Sequence, residues 1–224
     1  SLEVEGPRLD VWRAPTDNDR GAPEDGAGLA AQWRDLGLHR MRHRVIEVLT
    51  ENDAVVVHAR EAPAGTDLGL RATYTWTVAD QMLVLSLVVM PEGTWPVPLP
   101  RLGLRLAVPA RLGKIEWFGR GPGEAYPDSR QAARVGRFTS TVEDLQAPYV
   151  MPQESGNRTE VRWAALTDKH GHGLKINGLA CFDFTARRWT SETPETAQHA
   201  SDPRPRARLW LNPDAAHHGI GSAA

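Results

Sequence analysis

"RLGLRLAV", residues 101–108, sets Leu102, Leu104, Leu106 and Val108 against Arg101, Gly103, Arg105 and Ala107. Strict alternation of this kind marks a half-buried β-strand, whose successive side chains point to opposite faces. Working outward, "VRWAAL" (161–166), "ATYTWTV" (72–78) and "ARLWLN" (207–212) read similarly. "DAVVVHA" (53–59) and "MLVLSLVVM" (82–90) are more continuously apolar and predict buried inner strands. Between these segments lie "PAGTDLG", "PEGTWPVPLP", "GRGPGEAYPD" and "SDPRPR", and 17 prolines spread through such connections fit many short strands joined by loops. One helix stands out near residues 27–36, where Leu29, Trp33 and Leu36 recur on one face of a 3.6-residue period and Gly37 supplies a stop. The fold class is therefore all-β, with antiparallel sheets in two layers and residues 1–224 forming a single domain.

Composition narrows the function. Apolar residues make up 41% of the chain, ample for a core, and 24% charged residues leave an ordinary solvated surface. The 26 basic residues are almost all arginine, with lysine only at 114, 169 and 175, yet the net charge is −2. A phosphate-binding surface would carry a positive balance, so nucleic acid is not expected as a partner. No run reaches the roughly 18 apolar residues of a membrane span. The single cysteine, Cys181 in "LACFDF", excludes a disulfide framework within the chain and is expected to be a small buried residue. The N-terminus shows no secretory signal, and a cytoplasmic location is expected. The opening "SLEV" lacks a methionine and points to a piece of a longer polypeptide.

Several segments could carry chemistry. "VWRAPTDNDRG" (11–21) holds Asp17, Asn18 and Asp19 in a row. The two carboxylates could bind a cation, but the Gly and Glu spacing of a calcium loop is missing, and Asx residues after Pro15 more often build turns. The stretch reads as architecture, with contact to a sugar or a neighbouring domain as the alternative. "WFGRGPGEAYPDSR" (117–130) is glycine-rich but lacks the Gly-Lys-Ser/Thr of a phosphate loop. It reads as a tight corner pinned by Trp117 and Tyr126. "YVMPQESGNRTEVRW" (149–163) puts Gln153, Glu154, Asn157 and Arg158 on a loop before a strand, a palette of amide and guanidinium groups suited to a sugar. His170 with His172, and His217 with His218, suggest no third metal ligand. No Gly-x-Ser-x-Gly elbow occurs. Glycoside hydrolysis needs two flanking carboxyl groups, and Glu124 and Glu154 are the candidates, although no spacing argues for them. The residues alone define no catalytic site.

"RAPTDNDRG" (13–21), "WRDLGL" (33–38), the 117–130 segment, "APYVMPQESGNRTEVRW" (147–163) and "LWLNPDAAHHGIG" (209–221) together resemble, in order, the C-terminal region of glycoside hydrolase family two β-galactosidases. The same region forms the small chain where such enzymes are split. The resemblance implies a β supersandwich similar to that of galactose mutarotases, truncated at both ends relative to the family domain. It implies a parent enzyme that hydrolyses terminal β-galactosides with retention, using carboxylates on an upstream TIM barrel absent from these residues. Magnesium and sodium, where the parent uses them, would sit mainly outside this domain, which itself is expected to hold no cofactor. Partners would be the barrel and the galactoside, with homo-oligomers possible.

By the same resemblance, Asp17, Asn18, Asp19 and Gly21, with Ala22 to Gly28 and with His218 and Gly219, would form the rim of a substrate pocket or contact a neighbouring domain. The family's stacking aromatic, a few residues beyond the match to Gly219–Gly221, has no counterpart before the chain stops at "GIGSAA". Two other classes remain as alternatives. One is a stand-alone aldose 1-epimerase-like enzyme using His170, His172, His217 and Glu154. The other is a carbohydrate-binding module presenting Trp12, Trp95 or Trp189.

Overall fold

In a computed structural model of the chain, the described residues are 5–21, 28–196 and 207–221. They form an all-β protein of antiparallel sheets, as the alternating segments predict. The strands are β1 (Glu5–Asp10), β2 (Arg42–Glu51), β3 (Ala54–Ala62), β4 (Gly69–Ala79), β5 (Met82–Glu92), β6 (Arg101–Pro109), β7 (Lys114–Gly121), β8 (Arg134–Thr141), β9 (Arg158–Thr167), β10 (Gly173–Arg187) and β11 (Arg208–His217). The expected helix is present as α2 (Leu29–Asp35), and Gly37 follows it in the left-handed conformation (φ 77°) that a helix stop favours. Two single helical turns, α1 (Asp17–Arg20) and α3 (Thr193–Thr196), flank it in sequence.

The chain divides into two compact units, Ser1–Ala31 with Leu99–Ala224, and Gln32–Pro98. The larger unit carries a seven-stranded sheet of order β1-β6-β11-β10-β9-β7-β8. Its core gathers Leu106, Val108, Ile115, Trp117, Val161, Leu166, Phe184, Leu209 and Leu211, drawn from β6, β7, β9, β10 and β11. The smaller unit is a meander, β2-β3-β4-β5, in which each strand pairs with its neighbour in sequence.

Four expectations need correction. β6 is buried on both sides rather than half-buried: Leu106 and Val108 join the core, Arg101, Gly103 and Arg105 are buried on the other side, and only Leu102 and Leu104 are intermediate. The arginines are tolerated inside because carboxylates meet them, Asp10 and Asp214 at Arg101 and Glu192 at Arg105. β5 is an edge strand of its sheet, with Met82, Leu83, Val88 and Met90 exposed, rather than a buried inner strand. A continuous apolar run shows that a strand has apolar faces, and says nothing about which neighbours it will find. Cys181 is exposed, because β10 loses register with β9 between Asn177 and Phe182. Trp12, expected at the surface, is 1% exposed.

Candidate functional site

Chain direction brings the opening stretch and the end of β11 together at one corner of the larger unit. Thr16 is the N-cap of α1: its hydroxyl accepts from the Asp19 amide (3.3 Å), and the Asp19 carboxylate accepts from the Thr16 amide (2.6 Å). This reciprocal capping box satisfies two amides that a helix start would leave bare. The same carboxylate takes a two-pronged pair from Arg13, Nη1 to Oδ2 at 2.6 Å and Nη2 to Oδ1 at 2.9 Å. Both partners are buried. Asp19 is thus fully engaged in holding the turn, whereas Asp17 sits outside, paired with Arg20.

The turn is then fastened to the chain's last described segment. Arg13 Nη2 donates to the Gly219 carbonyl (3.0 Å), and the Asn18 amide donates to that of Ile220 (2.7 Å). From the other side, Asp128 accepts the Ile220 and Gly221 amides at 3.1 and 2.6 Å. Burial pushes the Asp128 carboxyl up, but these two N–H groups outweigh it and hold it below the usual carboxylate range. A Cβ at Gly219 would overlap the Asp128 carboxylate and would have to push it off the amides it accepts from. Gln153 adds a bond to the Asp17 amide (2.9 Å).

The structure therefore brings Asp17, Asn18, Asp19, Gly21, His218 and Gly219 into one corner. Asp17, Asn18 and Gly21 are exposed on it. Gly21 closes α1 with φ 72°, and its Cα side approaches Gly28, so the ends of the intervening loop meet. The expected rim segment, Ala22 to Gly28, otherwise lies outside the described residues, which resume at Gly28. Arg13, Thr16 and Asp128 are fastening residues that the sequence reading did not single out, and Gln153, read there as part of a sugar palette, accepts from the turn. The Thr-x-x-Asp spacing of 16–19 is the signal that could have revealed the helical turn.

Behind the corner lies a second buried polar layer. Glu154 is 1% exposed and forms a two-pronged pair with Arg187, at 2.8 and 3.1 Å. Burial would raise its carboxyl, but the Arg187 guanidinium, with Arg101 beyond it, holds it below the ordinary range. His217 is buried, its Nδ1 lies 2.6 Å from the His218 carbonyl, and its ring meets Tyr126 edge-on at 5.2 Å. Loss of solvent, reinforced by the Arg13 charge, pushes its pKa down to about 3. The imidazole is neutral, with the proton on Nδ1 donated to that carbonyl.

These facts bear on each catalytic candidate. Glu154 is an ionised, arginine-locked carboxylate, and His217 is a buried neutral base, so neither is poised to exchange protons near neutral pH. Glu124 accepts the Tyr149 hydroxyl and the Gly156 amide (2.9 Å). His170 and His172 lie on an exposed loop whose amides donate to Asp168. Among the described residues no group of three His, Cys, Asp or Glu side chains could hold a metal ion, and no helix is long and apolar enough to cross a membrane.

Comparison with known proteins gives a consistent result. The family model for the β-galactosidase small chain matches residues 1–224. A β-galactosidase of Arthrobacter sp. (strain B7) is 34% identical over all of this chain and 24% of its own length. One from Vibrio cholerae is 34% identical, covering 96% of this chain and 21% of its own. One from Streptococcus thermophilus is 33% identical over the same shares. The chain thus spans between a fifth and a quarter of the length of these relatives.

Proposed function

The chain belongs to the β-galactosidase small-chain family, and on that premise we propose that it is the non-catalytic C-terminal domain of a retaining β-galactosidase. Its role is to wall and gate the substrate cleft of a catalytic TIM barrel supplied by the rest of the enzyme. One observation carries this reading. The exposed residues Asp17, Asn18 and Gly21 are presented on a turn clamped by Arg13, Asp19, Gly219 and Asp128, a fixed frame at the corner where the family resemblance puts the pocket rim. A gate needs a fixed frame and backbone positions that absorb rotation, and Gly21 stands at that junction.

The finer parts of the proposal rest on the family. The fold is taken as a supersandwich of the galactose mutarotase kind, carbohydrate contact is made at the clamped corner, and the enzyme works in the cytoplasm, with homo-oligomers possible. Magnesium and sodium would be held by the rest of the enzyme. The described residues offer no ligand cluster of their own, so no chemical step is assigned to a metal here.

The test is hydrolysis of nitrophenyl-β-galactoside by the chain alone, by the remainder of the enzyme alone, and by the two mixed. Turnover is expected only from the mixture. Clear turnover by the chain alone would overturn the reading, and full activity of the remainder without the chain would remove its gating role.

A further inference from the structure

Three of the deeply buried arginines meet a carboxylate: Arg13 meets Asp19, Arg101 meets Asp10 and Asp214, and Arg187 meets Glu154. Arg158 does not. It is 3% exposed, its Nη1 donates only to backbone carbonyls of Leu145, Gly156 and Asn157, and no carboxylate pairs with it among the described residues. Its Nε is buried without an acceptor. Burial pulls the guanidinium down to about 10, and the nearby Glu124 charge offsets that only in part. Its Cζ lies over the Trp117 ring, 5.2 Å from the centroid, a contact that does not neutralise it.

Arg158 also lines a cavity of about 330 Å³ within the larger unit, together with Trp117, Pro122, Glu124, Leu145 and Gln146. That volume lies at the small end of small-molecule sites, roughly 300–1,000 Å³, and suits a single ring. The lining decides the chemistry. The lining holds two carboxylates, Glu124 and Asp144, against one guanidinium, so a further anion would be repelled. Hydroxyl groups, in contrast, can donate to the carboxylates and accept from the guanidinium, while Pro122 and Leu145 offer apolar contact to C–H faces. Glu124 is held for such a task, since the Tyr149 hydroxyl and the Gly156 amide fix both of its oxygens.

We propose that the cavity between β7, the 122–124 turn and the 139–147 segment binds a neutral polyhydroxylated ligand of one sugar ring, with Arg158 donating and Glu124 accepting. The site stands apart from the clamped corner, and its argument does not depend on the gating role proposed above.

Crystals of the β-galactosidase that carries this chain, soaked separately in D-galactose, D-glucose and sodium acetate, test it directly. A sugar ring within hydrogen-bonding distance of Arg158 and Glu124, and no acetate, is the expected result. Two variants follow. Arg158→Lys removes the fork, and titration of the enzyme with D-glucose should show roughly tenfold weaker binding, about 1.4 kcal/mol. Gly123→Tyr guards against a folding failure of the first: a Cβ at Gly123 meets nothing within 4 Å, so the ring can obstruct the cavity without disturbing the core. It should abolish sugar density in the cavity. An empty wild-type cavity, acetate on Arg158, or sugar retained in the Gly123→Tyr protein would each overturn the proposal. None of these outcomes bears on whether the chain alone hydrolyses galactosides.

Discussion

The clamped corner of the larger unit and the meander of the smaller one solve the same problem, holding antiparallel strands in register, by opposite means. In the meander, β2 to β5 pair in sequence order, and beside the buried Glu61, which meets His43, the arginine pairs reach solvent: Arg60 and Arg71 converge on Glu92 from neighbouring strands. Its strands leave Ile46, Val48, Val78 and Leu83 exposed. In the larger unit, strands distant in sequence lie side by side, and the charges are inside. Arg101 on β6 reaches Asp214 on β11, and Arg13 holds Asp19 while bonding to Gly219. Local pairing needs little beyond turns and alternation. Distant pairing leaves more wrong registers available, and a buried ion pair penalises them because a mispaired charge stays uncompensated inside.

The sharpest way to break this contrast is Asp19→Ala. It takes the carboxylate from the Arg13 guanidinium, which is 0% exposed, and removes the half of the capping box in which Asp19 accepts from the Thr16 amide. Breaking a buried pair from one side typically costs roughly 3–5 kcal/mol. Hydrogen exchange should speed up across 13–21 and 217–221 together, because Arg13 ties the two segments, while amides of β2 to β5 should keep their protection. Uniform acceleration across both units would show that the corner has no separate role in holding its own unit.

A smaller effect comes from His217. Its folded pKa of about 3 lies below the ordinary histidine value, so the unfolded chain takes up the proton first as pH falls. Stability from this group is complete above about pH 6.5 and is lost as pH drops towards 3, on the order of 2–3 kcal/mol by pH 4.5. Asp214 and Asp183, which burial raises to about 7 and about 6, act with the opposite sign: their contribution is present at low pH and is lost as pH rises through those values. Denaturation midpoints of the wild type and of His217→Gln, compared from pH 7.5 to 4.5, isolate the histidine. The difference between them should stay flat down to about pH 6.5 and then change steadily to pH 4.5, and a constant difference throughout would contradict the buried neutral imidazole.

The two regions also differ in how much of them the sequence revealed. Three of the meander's four strands were legible as "DAVVVHA", "ATYTWTV" and "MLVLSLVVM", whereas β2 was not singled out. The strand order of the other sheet was not legible, because β1, β6 and β11 become neighbours across gaps that carry no local signal. The alternation in 101–108 correctly marked a strand but did not show that both of its sides would be buried. Nothing in "RLGLRLAV" says that Asp10 and Asp214 will arrive to accept its arginines. The rim residues 17–19, 21, 218 and 219 came from resemblance, and the structure brings them together. Arg13, Thr16 and Asp128 escaped notice because each acts through partners far along the chain or through a backbone amide. The cavity beside Arg158 was likewise invisible: a missing partner is a property of three dimensions.

Glu92→Gln completes the comparison at its weak end. Glu92 accepts from Arg60 Nε at 2.6 Å and also pairs with Arg71, and both guanidiniums hold its carboxyl below the usual range. Yet Arg71 is largely solvated, and a charge that water already stabilises loses little when its partner becomes neutral. The denaturation midpoint of Glu92→Gln should match wild type within error. Adding 1 M salt, where screening reaches about 3 Å, should leave that agreement intact. The same salt should do nothing to rescue Asp19→Ala, whose Arg13 guanidinium, deprived of that carboxylate, is sealed from ions as it is from water. If Glu92→Gln instead destabilised the meander as severely as Asp19→Ala does the corner, the order of β2 to β5 would have to depend on its surface charges. Hairpin connectivity would then no longer suffice to explain that sheet.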